Sequence, residues 1–136
     1  MGETFFRSTM TALLARAVRE QGRDDEALEL TRAAEAITAD ADIDAKVLWR
    51  CVRAPILARS GAIDEAELMI REALELALHT ESPGLQASSY YELGAVTQFA
   101  GRADEARQAL HAAIEIYARK GDVMSAARGR AFLAAL

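Results

Sequence analysis

The sequence predicts an all-α fold: three helical hairpins in series, closed by a C-terminal capping helix. Three observations point there. Apolar residues recur at helical spacing along most of the chain, and breakers are few, with 30 alanines, two prolines and no asparagine in 136 residues. A six-residue phrase occurs three times, GRDDEA at 22–27, GAIDEA at 61–66 and GRADEA at 101–106, at intervals of 39 and 40 residues. Four further columns keep register with its glycines. Small residues stand seven before (Ala15, Ala54, Gly94), five after (Ala27, Ala66, Ala106) and twelve after (Ala34, Ala73, Ala113), and a large aliphatic stands fifteen after (Ile37, Leu76, Ile116).

The elements follow in order. A first helix is predicted over 4–21, with Leu13, Leu14, Ala17 and Val18 on its apolar side. Gly22 stops it, because glycine takes the left-handed conformation that a helix end needs. Asp24 then suits the positive end of the next helix and is expected to accept its free N–H groups, so a second helix runs over 24–38. After the linker ADAD (39–42), a third helix is predicted over 44–60, capped by Asp44 and carrying Val47, Leu48, Val52, Ile56 and Leu57. Pro55 inside it lacks an N–H and crowds the carbonyl of Cys51, so a kink is expected. Gly61 and Asp64 repeat the hinge, and the fourth helix covers 64–78. HTESPG (79–84) is the clearest break. Helices over 85–100, with Tyr90, Leu93, Val96 and Thr97, and over 104–120 form the third hairpin around Gly101 and Asp104. Gly121-Asp122 starts a last helix over 122–135, which would cover the apolar face the third hairpin leaves open. Gly129 within it costs about 1 kcal/mol against alanine, so its end is expected to fray. Residues 1–136 form one domain, with hairpins at about 4–38, 44–78 and 85–120 and the cap at 122–135; Gly22, Gly61 and Gly101 are its structural turns.

Composition narrows the function. The net charge of −5 argues against a nucleic-acid partner. The first 20 residues carry charges at 3, 7, 16, 19 and 20 and no unbroken apolar run, so neither a signal peptide nor a membrane span is predicted, and the expected location is cytoplasmic. The Met-Gly start lacks Ser or Thr at the sixth residue, which is Phe6, as lipidation would require. Lone Cys51 excludes an internal disulfide and a multi-cysteine zinc site. Arg50 and Arg53 beside it would acidify a reactive thiol, but a lone helical cysteine reads first as a small packed residue. Asp40, Asp42 and Asp44 alternate like the start of a calcium loop, yet Ala45 and Cys51 stand where the loop needs Gly and Glu, so the stretch reads as a polar linker. His111 and Glu115 read as an ordinary helix-surface pair. No Gly-x-Ser-x-Gly, His-Glu-x-x-His or dinucleotide-binding glycine pattern is present, so no enzyme, cofactor or metal is expected.

Helix pairs with small residues at three fixed positions resemble the tetratricopeptide repeat. The resemblance spans nearly the whole chain and implies a right-handed α-solenoid, in which first helices line a concave groove and second helices form the convex back. The period is about 40 rather than 34, the closing proline is missing, and Tyr90 fits a packing slot whose counterparts are Thr11 and Arg50. The stretches 47–77 and 100–122 also resemble the C-terminal repeat region of large actinobacterial signalling proteins with cyclase-like or transcriptional-activator heads. No Gly-x-x-x-x-Gly-Lys occurs here, so no ATPase role carries over.

Charge divides between the helix types: first helices and cap sum to +5, second helices to −6. Under the solenoid reading an acidic protein then carries a basic groove. Arg16, Arg19, Arg53 and Arg59 are its candidate cations, with Tyr91, Gln98 and Phe99 beside them. Arginine suits planar anions, so the expected ligand is an acidic peptide or partner segment. The competing reading pairs Arg50 and Arg53 with acids such as Glu92 inside the stack. The leading function is a non-catalytic protein-interaction module. The alternatives are a regulatory tail of a larger cyclase-like or transcriptional signalling protein, and a scaffold that forms a homodimer through its uncapped first helix.

Overall fold

A computed structural model describes residues 2–136, with side chains from Phe6 onward. Seven helices follow one another: α1 (Gly2–Glu20), α2 (Asp24–Ile37), α3 (Ile43–Arg59), α4 (Ile63–Leu78), α5 (Pro83–Phe99), α6 (Ala103–Lys120) and α7 (Val123–Ala134). Each packs on the next in sequence, and α3 also touches α1 and α5. The protein is thus all-α, with stacked helix pairs. No helix among the described residues is long and apolar enough to cross a membrane.

The repeated phrase forms the same hinge each time. At Gly22 φ is +79°, and Arg23 N–H reaches back five residues to the carbonyl of Val18. The same bond joins Ala62 to Leu57 and Arg102 to Thr97 around Gly61 and Gly101. This left-handed closure satisfies carbonyls that a helix end otherwise leaves unpaired, and a side chain at the glycine would strain it. Gly121 makes a fourth copy between α6 and α7, with Asp122 bonded to Tyr117.

The acids after the glycines work differently from expectation. The cap positions of α2, α4 and α6 are Arg23, Ala62 and Arg102, and no side chain caps there. Asp24 lies one position further in and Asp64 and Asp104 two, all within the first turn, where they favour the positive helix end without capping it. Side-chain caps occur instead at the starts of α3, α5 and α7, from Asp42, Ser82 and Asp122. Asp42 therefore replaces the expected Asp44. Its Oδ1 accepts from Ala45 N–H at 3.1 Å, and its buried Oδ2 accepts from Ser8 Oγ at 2.7 Å, which ties α1 to the start of α3.

The three small columns are the close contacts. Ala15, Ala27, Ala34, Ala54, Ala66, Ala73, Ala106 and Ala113 are all fully buried. At Gly94 a methyl group would stand 2.9 Å from Leu110 Cγ, so α5 and α6 approach over a bare backbone. At Gly129 it would stand 2.7 Å from Ile114 Cγ1. The glycine that weakens α7 as an isolated helix is what seats it on α6, and α7 runs on past it to Ala134.

Candidate functional site

A concavity of about 600 Å³ runs along the odd-numbered helices. Leu13, Arg16 and Ala17 of α1, Asp44, Leu48 and Cys51 of α3, Leu85, Ser88, Tyr91 and Glu92 of α5, and Ser125 and Arg128 of α7 line it, with Tyr117 and Lys120 at the end of α6. Of the candidate groove residues, Arg16, Arg19 and Tyr91 are brought together here. Arg53, Arg59, Gln98 and Phe99 are not among its lining residues.

Arg19 is the centre of the site, and Pro55 explains its place. A regular helix would send the N–H of residue 55 to the carbonyl of Cys51; proline has none. Arg19 Nη1, reaching from α1, donates to that carbonyl at 3.0 Å and more weakly to Val52 O at 3.4 Å. The same nitrogen donates to Glu92 Oε2 of α5 at 2.8 Å. One guanidinium so repairs the backbone of α3 and links α1 to α5 across it. Nε and Nη2 of Arg19 make no hydrogen bond with a described residue. Glu92 is buried, and burial raises its carboxyl above the usual glutamate range, partly opposed by Arg19.

Around this pair the groove carries both signs, with Arg16, Arg19, Lys120 and Arg128 facing Glu20, Asp44, Glu92 and Asp122. Among the described residues Arg16, Lys120 and Arg128 form no ion pair. The guanidinium of Arg128 lies over Tyr91, 5.1 Å from the ring centre, and Phe132 meets that ring edge-on at 5.6 Å. Ser88 Oγ and Tyr117 Oη are 3.2 Å apart, and burial raises the phenol of Tyr117 above its ordinary value.

The other arginines close seams between helices. Arg53 Nε donates to Thr31 Oγ1 at 3.0 Å, and its Nη2 pairs with Glu35 Oε1 at 2.8 Å. Arg59 binds Asp24 through two parallel bonds of 3.0 and 2.9 Å. Arg50 stacks on Trp49, donates to Lys46 O and lies 3.9 Å from Glu72. The arginine excess of α3 thus meets the acids of α2 and α4. The competing reading of Arg53 as an ion-pair residue is what the structure has, though with Glu35 as partner rather than Glu92. Gln98 and Phe99 are exposed at the end of α5.

Cys51 does not have an acidified thiol. It is buried, its Sγ lies 3.6 Å from Ser89 Oγ, and burial pushes its pKa up to about 12, outweighing the nearby arginines. Asp42 is committed to its cap, and no cluster of three His, Cys, Asp or Glu side chains suited to a metal occurs among the described residues. Sequence reasoning left out Ser88, Tyr117, Lys120 and Arg128. Glu92 did carry a signal, since it is the sole charged residue between Leu85 and Ala100. No protein-family model matches the chain, and no curated protein is significantly similar to it.

Proposed function

We propose that this protein is a non-catalytic interaction module, a tetratricopeptide-like α-solenoid whose groove binds an acidic peptide segment. The observation that carries the reading is the state of the groove cations. Arginines at the helix seams are paired, whereas Arg16, Lys120 and Arg128 face an open cavity without an ion pair among the described residues, and Arg19 has the free edge of its guanidinium beside them. A ligand carboxylate would gain charge-assisted hydrogen bonds there, and the bidentate geometry of arginine favours a planar anion over a spherical one. Tyr91, Tyr117, Leu13 and Leu48 supply apolar surface for neighbouring ligand side chains.

A fluorescein-labelled glutamate-rich peptide tests this by anisotropy. Affinity should fall as salt is raised. The double variant Arg16→Glu/Arg128→Glu should weaken binding at least about tenfold, because like charges replace the cations. Arg59→Ala, at a seam, should leave affinity unchanged. Equal affinity of wild type and the double variant would rule out this groove as the binding surface.

A further inference from the structure

Counting back from the hinge glycines puts Phe6, Met10 and Leu14 of α1 in register with Ala45, Trp49 and Arg53 of α3, and with Leu85, Ser89 and Leu93 of α5. In α3 and α5 these positions face inward. Trp49 clusters with Ala34 of α2, Arg53 bonds Thr31 and Glu35 of α2, Ser89 meets Cys51 of α3, and Leu93 shares a cluster with Ile70 and Ala73 of α4. Ala45, Trp49, Leu85, Ser89 and Leu93 are at most 8% exposed. On α1 the same positions are apolar and open: Phe6 is 66% exposed, Met10 47% and Leu14 53%. At spacings of four residues they form one continuous stripe along the helix.

The surface that covers this face elsewhere is also written in register. Nine, twelve and thirteen residues after each hinge glycine stand Thr31, Ala34 and Glu35 on α2, Ile70, Ala73 and Leu74 on α4, and Leu110, Ala113 and Ile114 on α6. The last set obeys the same geometry, since Ile114 lies against Gly129 of α7, 40 residues after Ser89. Where α3 places Arg53 opposite Glu35, α1 has Leu14, so its complement is the apolar version of the pattern.

We propose that the Phe6–Met10–Leu14 face of α1 docks an amphipathic helix of a partner protein, one whose contact face carries a large apolar residue, an alanine three positions on and a second large apolar residue four positions on. A second copy of this chain has no free contact face of that pattern to offer. Its helices with that face, α4 and α6, already bury Ile70, Ala73, Leu110 and Ala113 against their own neighbours.

The probe is a fluorescein-labelled peptide with the sequence of α6, residues 103–120, added to the full chain and read by anisotropy. Saturable binding is expected. Leu14→Glu should weaken it by about tenfold or more, since it sets a charge in an apolar contact. Ala113→Glu in the peptide should do the same. Arg16→Glu/Arg128→Glu should leave it unchanged, which separates this face from the groove. Leu14 is half exposed, and an unchanged circular dichroism spectrum would show that its variant folds. Absence of saturable binding, or binding indifferent to Leu14→Glu, would overturn the proposal. So would a dimer of the peptide-free chain, seen by light scattering, that Leu14→Glu dissociates, because a second copy would then own the face.

Discussion

α3 and α5 occupy the same place in successive hairpins and close their seams by opposite chemistry. Eight residues before the hinge glycine α3 has Arg53 and α5 has Leu93; two before, α3 has Arg59 and α5 has Phe99. The seam between α2 and α3 is accordingly polar, with Arg53 on Thr31 and Glu35 and Arg59 forked on Asp24. Trp49 sits there with the guanidinium carbons of Arg50 and Arg53 4.2 and 4.4 Å from its ring centre, and its buried indole N–H has no hydrogen-bond partner among the described residues. The seam between α4 and α5 is apolar, with Leu85, Leu93 and Val96 packed in the cluster that holds Ile70, Ala73 and Ala77. A repeat register fixes where helices meet. It leaves open whether burial or ion pairing holds them.

The largest effect is expected where α1, α3 and α5 share one tie. Arg19→Ala would leave Glu92 buried without its cation and the Cys51 carbonyl without a donor. Removing one partner of a buried pair costs about 3–5 kcal/mol, which urea denaturation would register as a lower midpoint. Glu92→Gln in that background should recover part of the loss. Pro55→Ala should help more in the Arg19→Ala background than in wild type, because it returns an N–H to the orphaned carbonyl; a double-mutant cycle measures that difference. Glu92 also sets a pH dependence. Its folded carboxyl titrates above the unfolded value, so the proton contributes stability that is full below the ordinary glutamate range and is lost as pH rises through the raised value. The stability of wild type relative to Glu92→Gln should therefore decline from acid towards neutral pH, and a rise instead would mean that Arg19 outweighs burial.

The apolar seam comes next. Leu93→Ala removes a buried side chain from the α4–α5 cluster and should cost about 2–4 kcal/mol. That loss should be nearly the same in low and high salt, since no charge is involved. A strongly salt-dependent loss would show that α5 is held by charge, as α3 is, and would remove the contrast between the two helices.

The helices were legible because the hinge is local chemistry. Glycine, left-handed φ and the five-residue bond need no tertiary information, and every predicted helix is present with ends displaced by at most two residues. Caps were less legible, since Asp42 and Asp44 differ by two residues and only the entry angle of the chain selects between them. The arginines were least legible. Net charge per helix does not state azimuth: Arg53 and Arg59 lie on the side of α3 that faces α2, while Arg16 and Arg19 of α1 face the groove. Arg19 could be assigned only after Pro55 was seen to free a carbonyl within its reach.

The smallest effect should come from Arg59. Its fork on Asp24 is well aligned, but both side chains are about one-third exposed, and water screens such pairs. Arg59→Ala should cost no more than about 1 kcal/mol, with most of that gone in high salt. Arg53→Met at the same seam separates alignment from burial. Its side chain is 11% exposed and keeps apolar contact with Trp49 as methionine, while losing Thr31 and Glu35. If the polar seam is held mainly by packing around Trp49, Arg53→Met will be close to neutral, because it removes a buried charge whose partner Glu35 can return to water. If it is held by charge, Arg53→Met will cost more than Arg59→Ala and its loss will shrink with salt. Denaturation midpoints of the two variants at two salt concentrations decide between these.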